Sequence, residues 1–232
     1  MIGFYDYTVI LTYLSLLSAG TGIFVSLSGS GHPYWGTFFL LFCGLCDAFD
    51  GQVARTKKNR TAMEKNYGIQ IDSLSDLIAF GVLPACIGMA LVRRSPVLQD
   101  IFGSDPDNVP LRVASALLFA VMVLYILAAL IRLAYFNVTE EERQRTEGGV
   151  RRTYTGLPVT SAALIFPSVM LFHYILPMDI SIVYFPVTLI TGFLFLSKLQ
   201  IPKPHLRGIL IMIGVGVLEC ILLFVFYFFF KR

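Results

Sequence analysis

Charge is scarce in this chain. Only 14% of its 232 residues are Asp, Glu, Lys or Arg, whereas 56% are hydrophobic. Soluble domains carry roughly 25% charged residues, so a soluble globular fold is excluded. The mean hydropathy of +0.73 points instead to a polytopic membrane protein. Cysteine is also sparse: Cys43, Cys46, Cys86 and Cys220 all fall in apolar runs. Cys43 and Cys46 form a single C-x-x-C without a second ligand pair, which argues against structural zinc; small buried thiols are expected. His32, His173 and His205 stand singly at segment edges and read as interfacial. The net charge of +3 is slight and gives no reason to expect a nucleic-acid partner. No Lys or Arg precedes the first apolar run, so that run lacks the basic start of a signal peptide and is expected to remain as a membrane helix. There is no internal repeat and no low-complexity stretch.

What is there is a series of long apolar segments. A span needs about 20 apolar residues, and seven segments qualify or nearly do: 7–27, 34–56, 68–92, 111–136, 157–176, 181–198 and 207–230. Connections are short, apart from 93–110, with Pro96, Pro106 and Pro110, and the charged 137–156. The expected fold is all-α, one helical membrane domain over 1–232. Arg55, Lys57, Lys58, Arg60 and Lys65 follow the second segment. Arg143, Arg145, Arg151 and Arg152 follow the fourth, and Lys198, Lys203 and Arg207 follow the sixth. These hold 12 of the 18 basic residues. The bias of short basic loops toward the inside predicts that all three are cytoplasmic. Arg93, Arg94 and Arg112 fall on the other side, with Lys231 and Arg232 if the last segment crosses fully.

Four aspartates, Asp47, Asp50, Asp72 and Asp76, occupy 30 residues inside or beside two of these apolar stretches. Carboxylates at membrane depth are costly and mark function. At 100° per residue, Asp47, Asp50, Gly51, Ala54 and Arg55 share an arc of about 140°, and Gly68, Asp72, Ser75 and Asp76 one of about 100°. The predicted topology puts both arcs, Thr12 and Arg132 at one depth below the cytoplasmic surface. Four carboxylates so close repel one another, and a hard divalent cation, Mg²⁺ or Mn²⁺ with Ca²⁺ as a further candidate, relieves that repulsion. Gly51, Ala54 and Gly68 remove bulk beside the acids, and Arg55 offers a fork suited to phosphate. Acids for metal, space for a headgroup and an arginine for phosphate suggest phosphoryl transfer. A cation- or proton-coupled transporter would instead need polar groups along a path across the membrane.

Asp-x-x-Asp-Gly-x-x-Ala-Arg at 47–55, followed by Gly-x-x-x-Asp-x-x-x-Asp at 68–76, resembles the signature of the CDP-alcohol phosphotransferase family. Ile131–Asn137 and Gly156-Leu157-Pro158-Val159 resemble its phosphatidylserine synthase branch, and the resemblance covers most of 10–200. Two departures stand out: Ser15 where an Asn is common, and 12 residues between Arg55 and Gly68, more than the family's usual spacing. A longer cytoplasmic loop is expected there.

The resemblance implies that Asp47, Asp50 and Asp72 ligate divalent cations with Asp76 beside them. Asp76 would be the general base. Thr12, Gly51, Ala54, Arg55 and Gly68 would shape the CDP site. The activity implied is transfer of the phosphatidyl group of CDP-diacylglycerol to the hydroxyl of L-serine, with release of CMP. Glycerol phosphate, inositol phosphate or choline are the alternative acceptors. It also implies a homodimer among membrane lipids, and a prokaryotic plasma membrane is the expected setting. Arg132 and Asn137 are candidates for the acceptor, although an arginine so placed also snorkels. Arg151 and Arg152 fit the charge bias of inner loops, Tyr154 reads as an interfacial aromatic, and Glu219 as a partner across a helix contact.

Overall fold

The computed structural model describes residues 2–28, 32–103, 108–146, 153–176, 179, 181–203 and 206–229. Arg151, Arg152, Pro106, His205, Lys231 and Arg232 lie outside them. The chain is an all-α bundle of membrane type. Helices α1 (Ile10–Leu27), α2 (Pro33–Thr56), the continuous rod Ala62–Val92, α6 (Val109–Thr146) and α9 (Leu206–Phe229) are long and apolar enough to cross a membrane, while α7 (Ala162–Ile175) and α8 (Tyr184–Leu196) are shorter. All seven expected segments are therefore helical. Large apolar side chains such as Leu117, Phe193, Ile211 and Leu218 point outward, as lipid contact requires.

Tight packing begins between α1 and α2. Ser15, Ser18, Ala19, Gly22 and Ser26 form a buried stripe along α1 at helical spacing. Small residues let two backbones approach closely and bring polar groups into bonding range. Ser18 Oγ donates to Phe39 O at 3.0 Å, and Cys43 Sγ donates to Ser15 O at 3.3 Å. On the opposite side of α2, Gly44 admits α7: a Cβ there would fall 2.5 Å from Ala163 Cβ.

The third rod is α3 (Ala62–Asp76), a π-helical segment (Leu77–Val82) and α4 (Leu83–Val92) in unbroken succession. Pro84 supplies the reason for the irregular middle. Proline has no N–H for the carbonyl four residues earlier, here Phe80. Leu83 N–H instead reaches back to Ile78 O. Tyr125 Oη of α6 donates to Phe80 O at 2.6 Å, and Tyr184 Oη of α8 donates to Pro84 O at 2.7 Å. Two buried tyrosines thus satisfy backbone that the proline disturbs, and they tie α6 and α8 to the rod.

Three expectations about boundaries are corrected. The rod begins at Ala62, not near 68. Thr61 and Glu64 form a reciprocal capping box, so the extra residues before Gly68 lengthen the helix, and the expected long loop shrinks to Lys57–Thr61. Helix α6 runs ten residues past 136. Its extension is held by the ion pairs Arg143–Glu140 (2.6 Å) and Arg145–Glu141 (2.5 Å) at helical spacing; a hydropathy reading sees only the apolar part. The 93–110 connection contains a short helix, α5 (Pro96–Phe102), capped by Ser95.

An antiparallel ribbon was also not expected. Strand β1 (Thr153–Thr155) pairs with β2 (Gln200–Pro202) in the register Tyr154 opposite Ile201. Gly156 follows at φ +77°, where a Cβ would come within 2.6 Å of Phe195 O. Gly156 N donates to Leu199 O and Leu157 N to Leu194 O, so the ribbon is welded to the end of α8.

Near the α2–α3 turn, Lys57 Nζ donates to Asp6 at 2.6 Å and to Glu64 at 2.7 Å, latching the N-terminal segment to the turn. Chiefly through the Lys57 hydrogen bond, and next through Thr8, the Asp6 carboxyl is lowered from 3.8 to about 2. A lowered carboxyl stabilises the fold above its ordinary value and loses that contribution as pH falls toward the folded value. The melting-temperature gap between wild type and Asp6→Asn, measured in detergent, should be full above about pH 4 and close by about pH 2. Independently, Tyr125→Phe leaves Phe80 O without its donor and should cost about 1–3 kcal/mol, read as a lower melting temperature.

Candidate active site

Three elements build the site. Helix α2 contributes Asp47 and Asp50, one turn apart, near its C-terminal end. Helix α3 contributes Asp72 and, a turn later, Asp76. Thr12, in the first turn of α1, approaches Asp50 Oδ2 from the side at a long 3.5 Å. Ser75 Oγ donates to Thr12 O at 3.2 Å, which pins α3 against α1 between the two acids of the rod.

One carboxylate oxygen from each of Asp47, Asp50 and Asp72 lies within 4.8 Å of the others. Among the described residues none of the three forms an ion pair with Lys or Arg. Carboxylates packed this closely without a protein cation leave their repulsion uncompensated. An all-oxygen donor set is what a hard divalent cation takes, so the residues fit such an ion. Asp76, 8% exposed, stands outside the three-carboxylate group, and its carboxyl takes no protein hydrogen bond among the described residues. The rod turns π-helical at the very next residue, an irregularity that favours functional positions.

The glycines and Arg55 are arranged as follows. Arg55 is exposed, and its guanidinium folds back over Gly51: a Cβ at 51 would lie 3.8 Å from both Nη atoms. Ala54 is half-buried on the same helix. Gly68, in the second turn of α3, is covered by Arg60, whose Nη2 lies 2.7 Å from where a Cβ would stand. Arg60 Nη2 also donates to Glu64 O at 3.2 Å. Sequence reasoning assigned Arg60 only to a basic loop; no periodic signal links residue 60 to residue 68, because the chain turns between them.

The acceptor candidates are both engaged with protein. Arg132 is 6% exposed, and its Nε donates to Leu157 O at 3.2 Å while the guanidinium lies 5.2 Å from the Phe136 ring centroid. Snorkelling to the surface is therefore not its arrangement. Asn137 lies within α6 rather than at its end, and its Nδ2 donates to Ser73 Oγ at 2.7 Å, one residue from Asp72. Tyr154 is no simple interfacial ring. It packs 5.8 Å from Phe136 and carries Lys203 Nζ at 5.8 Å from its own centroid. Glu219 pairs with Ser168 across the α7–α9 contact, as expected. His32 caps α2, its Nδ1 accepting from Tyr34 N, and His173 lies 3.8 Å from Asp179. The four cysteines are free, as expected of packing thiols.

Beside the acids opens a cavity of about 770 Å³. Asp47, Gly51 and Arg55 line one end with Tyr154 and Lys203, and α7 and α9 form an apolar wall through Leu164, Ile213 and Val217.

Residues 8–218 match the CDP-alcohol phosphatidyltransferase family. The chain belongs to that family. It is 30% identical over 165 residues to a CDP-diacylglycerol--serine O-phosphatidyltransferase of Saccharomyces cerevisiae, covering 66% of this chain and 50% of the relative. It is 30% identical over 193 residues to an archaetidylserine synthase of Methanothermobacter thermautotrophicus, 82% of this chain and 68% of that one. A CDP-diacylglycerol--serine O-phosphatidyltransferase of Helicobacter pylori is 27% identical over 162 residues, 68% of this chain and 56% of the relative. The match thus spans about half the length of the first and the third.

If the three carboxylates hold a cation, Mn²⁺ or Mg²⁺ at a hundredfold over its dissociation constant should stabilise the fold by about 2.7 kcal/mol. The melting temperature should rise with metal in wild type and not in Asp50→Asn or Asp72→Asn. Equal rises in all three would place the ion elsewhere.

Proposed function

We propose that this protein transfers the phosphatidyl group of CDP-diacylglycerol to the hydroxyl of L-serine, giving phosphatidylserine and CMP. The carrying observation is the convergence of Asp47, Asp50 and Asp72, with Asp47 also lining a cavity that joins Arg55 and Lys203 to a mostly apolar wall. A lipid with a nucleotide diphosphate headgroup has that same polarity. Family membership supports the chemistry, and the names of the relatives support serine as acceptor.

In this reading Asp47, Asp50 and Asp72 hold the divalent cation, Mg²⁺ or Mn²⁺. Held there, such an ion would offset part of the diphosphate charge and supply Lewis-acid polarisation of the phosphoryl group. Thr12, Gly51, Ala54, Arg55 and Gly68 shape the CDP site, with Arg55 on the diphosphate; Arg60 swings off Gly68 to admit the nucleotide. The two chains of the donor lie against α7 and α9. Asp76 accepts the proton of the serine hydroxyl. The serine oxygen forms a new bond to the β-phosphorus, and the bond from that phosphorus to the CMP oxygen breaks, its electron pair leaving with CMP. Asp76 suits the base because it lies beside the three-carboxylate group and not in it. Arg132 and Asn137 border the acceptor side, Asn137 through its bond to Ser73.

The basic ends of α2, α6 and the ribbon support a cytoplasmic site in a prokaryotic plasma membrane. We take residues 1–232 as one catalytic domain that works as a homodimer. Polar groups gathered at one depth fit an enzyme better than a transport path.

Purified protein with CDP-diacylglycerol and Mn²⁺ should release CMP only when serine is added. Release with glycerol phosphate, inositol phosphate or choline instead would replace the acceptor, and none with any alcohol would overturn the enzyme reading. Asp76→Asn should lower turnover by roughly 10²–10⁴-fold, the usual contribution of a general base, with binding of CDP-diacylglycerol retained.

A further inference from the structure

We propose that Lys203, carried by the β1–β2 ribbon, is a second cationic contact for the diphosphate of the donor lipid, sharing the cavity lining with Arg55. The inference rests on CDP-diacylglycerol as donor. It concerns a residue outside the signature segment 47–76 and outside every periodic pattern in the sequence.

Among the described residues, the charged groups lining the cavity are Asp47, Arg55 and Lys203. Arg55 stands on α2. Lys203 comes from the ribbon, directly after β2. It is exposed and makes no ion pair among the described residues. A lysine kept only for the charge bias of inner loops has no need of a fixed position. This one is fixed. The ribbon pairs Tyr154 with Ile201, and Gly156 and Leu157 bond back to Leu199 and Leu194. Lys203 Nζ rests 5.8 Å from the Tyr154 ring, that ring 5.8 Å from Phe136, and Phe136 5.2 Å from the buried Arg132 guanidinium. The stack joins the ribbon to α6 and places the ammonium in the cavity lining.

The diphosphate offers such a group a partner beside the cation that Asp47, Asp50 and Asp72 would hold. A CDP diester carries two negative charges on adjacent phosphates, spread over four non-bridging oxygens. Arg55 can fork two of them. A lysine ammonium, as a compact point charge with three rotatable donors, suits the remainder without demanding a fixed geometry. Leaving the Tyr154 face for the phosphate exchanges a weak cation–π contact for a charge-assisted hydrogen bond.

The test uses the full-length protein in detergent micelles or mixed lipid micelles. Lys203→Gln should raise KM for CDP-diacylglycerol roughly tenfold or more, with the change falling on that KM more than on kcat, and KM for serine should not move. Lys203→Arg should recover most of the loss. CDP alone should stabilise wild type against heat more than it stabilises Lys203→Gln, with equal melting temperatures when CDP is absent. An unchanged donor KM and an equal CDP response in the variant would overturn the inference while leaving the donor assignment intact. A rise confined to the serine KM would overturn it by moving Lys203 to the acceptor. No CDP response and no CMP release in wild type would instead overturn the donor assignment, and the inference with it.

Discussion

The candidate site depends on three carboxylates that, among the described residues, pair with no Lys or Arg. Asp47, Asp50 and Asp72 bring like charges within 4.8 Å in a mostly apolar bundle. Left to themselves, two helices carrying such charges would separate. They are held by packing that owes nothing to the acids. The small-residue stripe of α1 closes on α2, Gly44 lets α7 lie against the other face of α2, and Ser75 bonds to the backbone of α1. The apolar and small-residue contacts thus fix the carboxylates where a cation or a shared proton would relieve them. A cation bound there would draw its affinity from repulsion that the rest of the fold maintains.

The irregular middle of the third rod belongs to the same arrangement. A straight α-helix past Asp76 would keep the register that puts Asp72 and Asp76 on one face, and with it the orientation of everything beyond. Pro84 breaks that register, and the π segment absorbs the change over Leu77–Val82. The carbonyls of Phe80 and Pro84 are met by the hydroxyls of Tyr125 and Tyr184, so the distortion costs no unsatisfied buried backbone. It also draws α6 and α8 to the rod just beyond Asp76. The helix that carries Arg132 and Asn137 is docked by the disturbance that begins where the acids end.

The hydrophobic segments and the acid-bearing faces were legible because each follows a single-helix rule: apolar length for a span, and 3- or 4-residue spacing for a shared face. Features that depend on two distant segments were not. Strands β1 and β2 are three residues each, too short for alternation to show, and their partners are nearly fifty residues apart. Pro84 is visible in the sequence, but nothing near it announces Tyr125 or Tyr184. The end of α6 misled because hydropathy reports where lipid ends, and helix continues beyond lipid on ion pairs. Gly68 shows a related limit. Its spacing from Asp72 is plain, whereas its cover by Arg60 depends on how the turn at Lys57–Thr61 folds back.

The last apolar segment is the least informative part of the sequence, and the cavity gives it a purpose. Headgroup chemistry needs convergent charge, which α2 and α3 supply near one end of the bundle. In the proposed reading a diacyl donor would also need somewhere for its chains, and a wall of α2 and α3 alone would leave them in bulk lipid, with the headgroup free to tilt. Helix α9 lies against α7 and α2, its Gly216 3.4 Å from Leu164 and 3.8 Å from Leu41 by the position of a Cβ, and so closes an apolar trough that leads to the acids. Orienting the chains orients the phosphorus. Even modest immobilisation of that kind is worth more to a displacement reaction than one further contact to the headgroup, because it removes the freedom that an in-line attack must otherwise overcome.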